Sequence, residues 1–275
     1  MTSKVVLVTG ASSGMGKEAA LQFAAKGHTV YAAARRVDSM QQELAPKGIT
    51  PVSVDVTKAD DNQRVVDQII EDEGRIDVLI NNAGFGLYGA VEDVPIDDAR
   101  YQFEVNLFGL ADLTQRVLPY MRAQRSGRII NTSSMGGKIF TPLGAWYHAT
   151  KHALEGWSDC LRIETAPFGI QVVVIEPGGV KTEFADVVGR QLEKYYGHSA
   201  YDTQMKPFID MMGRDDAMMD RLTEPEVLGA VFVEAATAKK PKRRYVKGYG
   251  ARPALFIRKW LGDGAYESVI KRMAR

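Results

Sequence analysis

The stretch "GAWYHATKH", residues 144–152, places a phenol at Tyr147 and an ammonium at Lys151, four positions apart. On a helix that spacing puts both side chains on one face, where they can meet over a ligand. A free phenol titrates near 10 (about the value in water), too high for easy proton exchange at neutral pH. A cation at ~4 Å in an effective dielectric of ~20 favours the phenolate by about 4 kcal/mol, roughly three pK units before desolvation takes part of it back. Such a pair can therefore give and take a proton. Tyr and Lys are common residues, however, and the rest of the chain must decide whether this pair is a catalyst.

A second motif carries different chemistry. The run "VVLVTGASSGMGKEAALQFAAKG" reads as a short strand, a glycine-bearing turn and a helix. Gly10, Gly14 and Gly16 allow a tight turn, close backbone approach to a pyrophosphate and helix packing on a sheet, while helix N-terminal amides face the anion. The spacing GxxxGxG departs from the commoner dinucleotide fingerprint, so an ordinary strand-to-helix turn is the competing reading. At the end of the second strand, where an acid would bond the ribose of NAD, the chain reads "AAARR", with Ala34 in the acid's place and Arg35 and Arg36 following. Guanidinium groups there suit a 2′-phosphate and favour NADP(H) over NAD(H); a solvated basic loop is the alternative. Ser12 and Ser13 add hydroxyl donors to the same phosphate, and Asp55 is placed to accept from the adenine amino group.

These residues need a scaffold that brings strand ends together. Short β-branched runs begin at Lys4, Thr29, Thr50, Asp77, Gly127 and Gln171, with a seventh candidate at Arg243. Helical patterns fill the gaps at 14–26, 39–44, 59–73, 96–125 and 145–166, and Pro119 is expected to kink the fourth. Alternation of this kind predicts βαβ units and a parallel sheet.

In order and separation, "TGASSGMG", "NNAG" at 81–84, "YHATK" at 147–151 and "PGGVKT" at 177–182 resemble the short-chain dehydrogenase/reductase family over roughly residues 4–182, extending to about 250. Each motif alone is weak, and the ordered set is highly specific. The chain also looks like the branch that contains 17β-hydroxysteroid and retinol dehydrogenases and many microbial carbonyl reductases. The resemblance implies an α/β fold, a Rossmann-like doubly wound parallel sheet of about seven strands in a single domain. It carries a catalytic tyrosine onto Tyr147, a lysine onto Lys151, a serine onto Ser134 thirteen residues before the tyrosine, and an asparagine onto Asn106 in "FEVNLFG". Ser133 is the alternative to Ser134.

By the same resemblance the cofactor touches the loop from Gly10 through Met15 to Gly16, Asp55 and Val56, the triplet Asn82, Ala83 and Gly84, and, at the nicotinamide end, Pro177, Gly178, Val180 and Thr182. Tyr147 then acts as acid toward a carbonyl, Ser134 as second donor to the developing alkoxide, Lys151 as the cation that lowers the phenol and holds the nicotinamide ribose, and Asn106 as anchor for a proton-passing water. His148 and His152 are read as surface or subunit-contact residues. The four histidines and Cys160 lack metal-ligand spacing.

Composition sets the remaining bounds. The net charge of +1 offers no argument for nucleic acid, and the single cysteine rules out an internal disulfide. No apolar run approaches the roughly 20 residues that span a bilayer, and the expectation is a cytoplasmic enzyme. The charge is nevertheless uneven. Residues 239–275 hold twelve Lys and Arg against Asp263 and Glu267, so this tail carries +10 and residues 1–238 carry −9. With "PALFIRKWLG" the tail could lie on an anionic membrane or, as the favoured reading, against a partner subunit of a homo-oligomer.

Residues 183–222 are expected to form a substrate lid, bearing Phe184, Tyr195, Tyr196, Tyr201, Phe208 and methionines at 205, 211, 212, 218 and 219. Flexible methionines and aromatic rings suit a bulky apolar ligand, unless these side chains simply pack on the body. The expectation is an NADP(H)-dependent oxidoreductase interconverting a carbonyl and an alcohol on a lipophilic substrate such as a steroid, retinoid or long-chain ketone or aldehyde. Two alternatives stand beside it: a non-catalytic NADP(H)-binding regulator or membrane-associated interaction protein on the same fold, and a different reaction such as epimerisation or dehydration.

Overall fold

Val6, Val8, Val30, Ala32, Val78 and Ile80 belong to one buried cluster, whereas Val5, Leu7, Tyr31, Ala33 and Leu79 belong to another. This is the period of a strand written twice over, with both faces of one sheet covered by helices. The computed structural model describes residues 3–212 and 220–273. It is a single-domain α/β fold whose seven parallel strands are β1 (Val5–Thr9), β2 (Thr29–Ala34), β3 (Ile49–Ser53), β4 (Val78–Asn81), β5 (Gly127–Thr132), β6 (Ile170–Pro177) and β7 (Arg244–Lys247), in the order 3-2-1-4-5-6-7. All seven fall where the sequence pattern puts them.

On one face, α1 (Gly14–Ala25) contributes Ala19, Ala20 and Phe23 to the core and α9 (Pro225–Thr237) contributes Leu228, Phe232 and Val233. On the other lie α3 (Ala59–Glu73), α5 (Gly109–Ala123) and α6 (Ala145–Thr165), through Val65, Ile69, Leu113, Val117, Met121 and Leu161. Short α2 (Val37–Glu43) follows β2. The order reverses between β1 and β4, so the loops after these two strands open a crevice at their carboxyl ends.

The expected helix over 96–125 is not one helix kinked at Pro119. It consists of α4 (Ile96–Phe103), a π-helical turn at Glu104–Phe108, and α5, which runs through Pro119 to Ala123. The interruption sits at Asn106, which is held by bonds to another part of the chain described below. Past residue 180 come α7 (Phe184–Tyr195), α8 (Asp202–Met212) and α9, and after β7 come α10 (Ala251–Phe256), a second π-helical turn (Ile257–Leu261) and α11 (Gly262–Met273).

Phe232 is fully buried between α9 and the sheet. Phe232→Ala should cost about 3–5 kcal/mol, because the cavity adds to the lost transfer energy. A denaturant titration checks this, and a loss below about 1 kcal/mol would mean that α9 is not part of the cooperative core.

Candidate active site

The loop after β1 folds back on the start of α1. Gly10 and Gly14 take left-handed backbone angles, with φ of 64° and 54°, which side chains disfavour. A Cβ on Gly16 would come within 2.4 Å of the Gly10 carbonyl oxygen. The loop is braced from β4: Thr9 Oγ1 accepts from the Asn82 and Ala83 amides at 3.0 Å, and Asn82 Nδ2 donates to the Thr9 and Gly10 carbonyls at 3.2 Å. Met15 packs on the core behind the loop. Ser13, the residue before α1, makes no side-chain bond to the first turn, and that turn holds no acid. The leading amides and the positive end of the helix dipole therefore face the crevice without an acid from the helix itself.

Four cofactor-side residues meet at the crevice's adenosine end. Arg36 donates to Ser12 Oγ at 3.4 Å and to Glu183 Oε2 at 3.2 Å, and Ser13 donates to the same carboxylate oxygen at 3.3 Å. Arg35 is exposed and bonds only the Tyr101 hydroxyl, at 3.2 Å. Glu183 was not foreseen; it balances Arg36 and leaves Arg35 as the guanidinium without an acidic partner among the described residues. Asp55 uses one oxygen to cap its own loop at Thr57, with Val56 buried beside it. At the far end, Pro177 closes β6, Gly178 is tied to Lys247, Val180 bridges to Thr223, and Thr182 reaches Gly14, where an added Cβ would lie 3.0 Å from its methyl. A Cβ on Gly84 would come 3.1 Å from Asn106 Oδ1 and 3.8 Å from Lys151 Nζ. A bare backbone cradle, free helix amides, a guanidinium and the buried, unpartnered Asn82 Oδ1 fit a nicotinamide dinucleotide.

The four residues expected to do chemistry converge beside Gly84. Tyr147 and Lys151 lie one turn apart on α6, both buried, with the ammonium 5.9 Å from the centre of the phenol ring. Lys151 Nζ donates to the Thr132 carbonyl at the end of β5, at 2.8 Å. Ser134, two residues past the end of β5, faces the Tyr147 phenol. Its Oγ also accepts from the Gly136 amide at 3.0 Å. Ser133 instead turns its hydroxyl into the interior without a partner. Asn106 on the π turn accepts from the Phe85 amide at 3.1 Å and donates to the Phe85 carbonyl at 2.9 Å and to Thr150 Oγ1 at 3.2 Å. Its side chain thus braces the chain beyond Gly84, so a water would have to use its main chain.

The electrostatics differ from the sequence expectation. Burial pushes the Tyr147 phenol up to about 12, opposed by the Ser134 hydroxyl, and the Lys151 ammonium does not lower it. Burial also draws Lys151 down to about 8, opposed by the charge of Glu155. The expectation that the ammonium lowers the phenol assumed ~4 Å and an effective dielectric of ~20. Here the ammonium is turned to the Thr132 carbonyl, and removal from water penalises both charged forms.

Of three residues around Tyr147, Phe184 was expected in the lid, Tyr88 was not foreseen and His148 was placed elsewhere. Tyr88 and Phe184 flank its ring at 5.8 and 5.3 Å. His148 is buried, not a surface residue: its Nε2 accepts from the Thr141 amide at 3.1 Å, so Nδ1 carries the proton and donates to the Gly136 carbonyl at 2.9 Å. Burial lowers its pKa and keeps it neutral. His152 is exposed, as expected. Helices α7 and α8, expected as a lid, pack on this cluster, with Val188 and Leu192 of α7 and Met205 of α8 fully buried in it. Methionines 218 and 219, and the side chains of 211 and 212, lie outside the described residues. Tyr266 of α11 donates to the Phe140 carbonyl at 3.0 Å, which ties the basic tail to the loop after Ser134.

The short chain dehydrogenase family model matches residues 4–193, and the chain belongs to that family of oxidoreductases, whose fold binds nicotinamide cofactors. Over 98% of both chains it is 35% identical to the 3-ketodihydrosphingosine reductase of Bacteroides thetaiotaomicron. It is 34% identical to the NADPH-dependent 3-dehydrocapnine reductase of Ornithobacterium rhinotracheale, covering 88% of this chain and 87% of the relative. Among solved structures, a short-chain dehydrogenase from Streptomyces avermitilis superposes with a TM-score of 0.77 at 32% identity, over 99% of this chain and 96% of the other.

His148 joins the loop that carries Ser134 to the helix that carries Tyr147. A Cβ on Gly136 or Gly144 would lie 3.0 or 2.8 Å from its ring, so both glycines make room for it. His148→Phe keeps a ring and loses both bonds. Its kcat should fall about tenfold to a hundredfold, the cost of misplacing a donor by a fraction of an ångström, with cofactor affinity unchanged. Steady-state kinetics beside a cofactor titration check this.

Proposed function

We propose that the protein is an NADPH-dependent reductase of a long-chain ketone, with Tyr147 as the proton donor. The observation that carries this reading is a protonated phenol buried at the floor of an apolar cluster, beside Ser134, Lys151 and a dinucleotide cradle. A neutral phenol is the form a reduction needs. Tyr88, Leu143, Val188, Leu192 and Met205 offer an alkyl chain apolar contact, whereas a sugar would want fixed polar groups. Two relatives named for reducing keto groups of lipids support the choice of a long-chain ketone over a steroid or retinoid.

When bound, NADPH supplies hydride to the carbonyl carbon. Tyr147 gives its phenolic proton to the carbonyl oxygen while the Ser134 hydroxyl donates to the oxygen as charge develops there. Lys151 stabilises the phenolate left behind, and the phenol is then reprotonated. Gly10, Ser12, Gly14, Gly16, Asn82 and Gly84 would hold the dinucleotide's backbone-facing side, and Arg35 the 2′-phosphate. The second relative's NADPH dependence supports this preference. Arg36 is already shared with Glu183, so Arg35 is the better test.

Purified protein titrated with NADPH and NADH should bind NADPH at least about tenfold more tightly, and Arg35→Ala should abolish most of that difference. Tighter binding of NADH would overturn the cofactor reading. With NADPH and a long-chain 3-keto amine, Tyr147→Phe should lose about 10²–10⁴-fold in turnover and keep its NADPH affinity. Retained turnover would remove Tyr147 from the chemistry.

The pH profile follows from Lys151. Its ammonium persists below about 8 and is lost above it, so kcat/KM for reduction should fall as pH rises through that value. Tyr147, at about 12, contributes no loss in this range. A profile flat from about pH 7 to 10 would show that the charge of Lys151 is not needed.

A further inference from the structure

β7 is the last strand of the sheet, and its outer side opens into a groove of about 980 Å³ between α9 and α10. Val227 of α9 and Phe256 and Trp260 beyond β7 line it, at 37%, 58% and 66% exposed, and Leu261 next to them is 60% exposed. Large apolar side chains left in water together on one surface call for a partner. The same groove carries Lys242, Lys247, Arg252 and Lys259, none of which forms an ion pair among the described residues. Glu226 and Glu234 are its acids, and Arg244, its remaining cation, is spent on the buried Glu155 and Glu176 and the partly exposed Asp159. Around the groove lie exposed Lys239, Lys240 and Arg243, all within the segment that carries +10 while the rest of the chain carries −9.

We infer that this face docks on an anionic lipid surface, with Phe256, Trp260 and Leu261 entering the interface and the lysines and arginines meeting lipid phosphates. Aromatic and aliphatic tips beside a cluster of unpaired cations are the two signals that together hold a peripheral protein on a bilayer. No helix among the described residues is long and apolar enough to cross one. A second copy of the chain is the weaker occupant, because an isologous contact would set the same cations against each other. The acidic body ensures that only this face approaches the membrane, since the remainder is repelled by it.

The test is cosedimentation of the full chain with vesicles of phosphatidylcholine containing roughly 30% phosphatidylglycerol, and with phosphatidylcholine alone. Binding should require the anionic lipid and be lost at ~0.5 M NaCl. The double variant Phe256→Ser, Trp260→Ser and the double variant Lys242→Gln, Lys259→Gln should each weaken binding about tenfold or more. Both should keep the wild-type circular dichroism spectrum and thermal unfolding midpoint, which establishes that they are folded. No binding to anionic vesicles would overturn the inference, as would binding that ignores the apolar pair. A mass that doubles with concentration and reverts in the same variants would also overturn it and assign the groove to self-association. Neither cofactor nor substrate enters the assay, so its failure leaves the reductase reading standing.

Discussion

An ammonium removed from water must be matched by acceptors and by opposite charge, and the Lys151 ammonium imposes that requirement on everything around it. The acceptor is the Thr132 carbonyl, at the last residue of β5. The opposite charge lies one turn further along α6, where Glu155 is buried with Glu176 of β6. Those two carboxylates meet Arg244 of β7 at 2.9 and 3.1 Å, and Lys138 bonds Glu176 at 2.9 Å. Asp159 completes the set through Arg244. Asp159 also pairs with Arg162 at 3.0 Å, so these three carboxylates meet three cations, and the Lys151 ammonium is favoured by the charge of Glu155. Buried charges are costly unless paired in this way, so the last two strands of the sheet do more than close it: Glu176 of β6 and Arg244 of β7 complete the network that holds Glu155 behind the site.

The phenol is treated in the opposite manner. Burial, with Tyr88 and Phe184 flanking the ring, keeps it neutral, while the Lys151 ammonium stands 5.9 Å from the ring centre. Its neighbour Tyr88 is raised for the same reason, burial. The site thus separates two tasks that the sequence spacing had merged, a proton held by desolvation and a positive charge held by a network. Alignment of the second donor falls to the loop between β5 and α6. That loop contains Leu143 at φ 64°, a left-handed angle that a side chain adopts only under constraint. Its carbonyl accepts from the Gly89 amide at 2.8 Å, next to Tyr88, which supplies the constraint.

The parts legible in the sequence are those encoded by local pattern. Every strand could be read because buried parallel strands need β-branched runs, and the phosphate loop because only glycine fits the angles and contacts at Gly10, Gly14 and Gly16. Tyr147, Lys151, Ser134 and Asn106 were singled out by order and spacing, and the fold places them near one another. What escaped depends on tertiary contact. The π turn at Asn106 follows from bonds to Phe85, twenty-one residues earlier. His148 looked like a surface residue because its partners, Gly136 and Thr141, become neighbours only when the loop closes; Gly144 one turn before it was the single local hint. Glu183 gave no signal at all, since its partners Ser13 and Arg36 come from the other end of the chain.

The tail is where composition and structure meet. Its charge was visible as a count, but the count did not say that Tyr266 would be buried against Phe140, or that the Arg258 guanidinium would lie 5.2 Å from the centre of that ring. Through these contacts α11 and the π turn before it rest on the loop that follows Ser134. Trp260 and Leu261, the most exposed apolar residues of the turn, are therefore a few residues along the chain from contacts with the active-site loop. A surface that gathered the tail would act on a segment already packed against that loop. The same segment also abuts Gly178, where an added Cβ would meet the Tyr249 carbonyl and Ala251. An apolar substrate and an apolar docking face then make one physical demand, since a ketone that partitions into lipid is most concentrated where the tail would hold the enzyme.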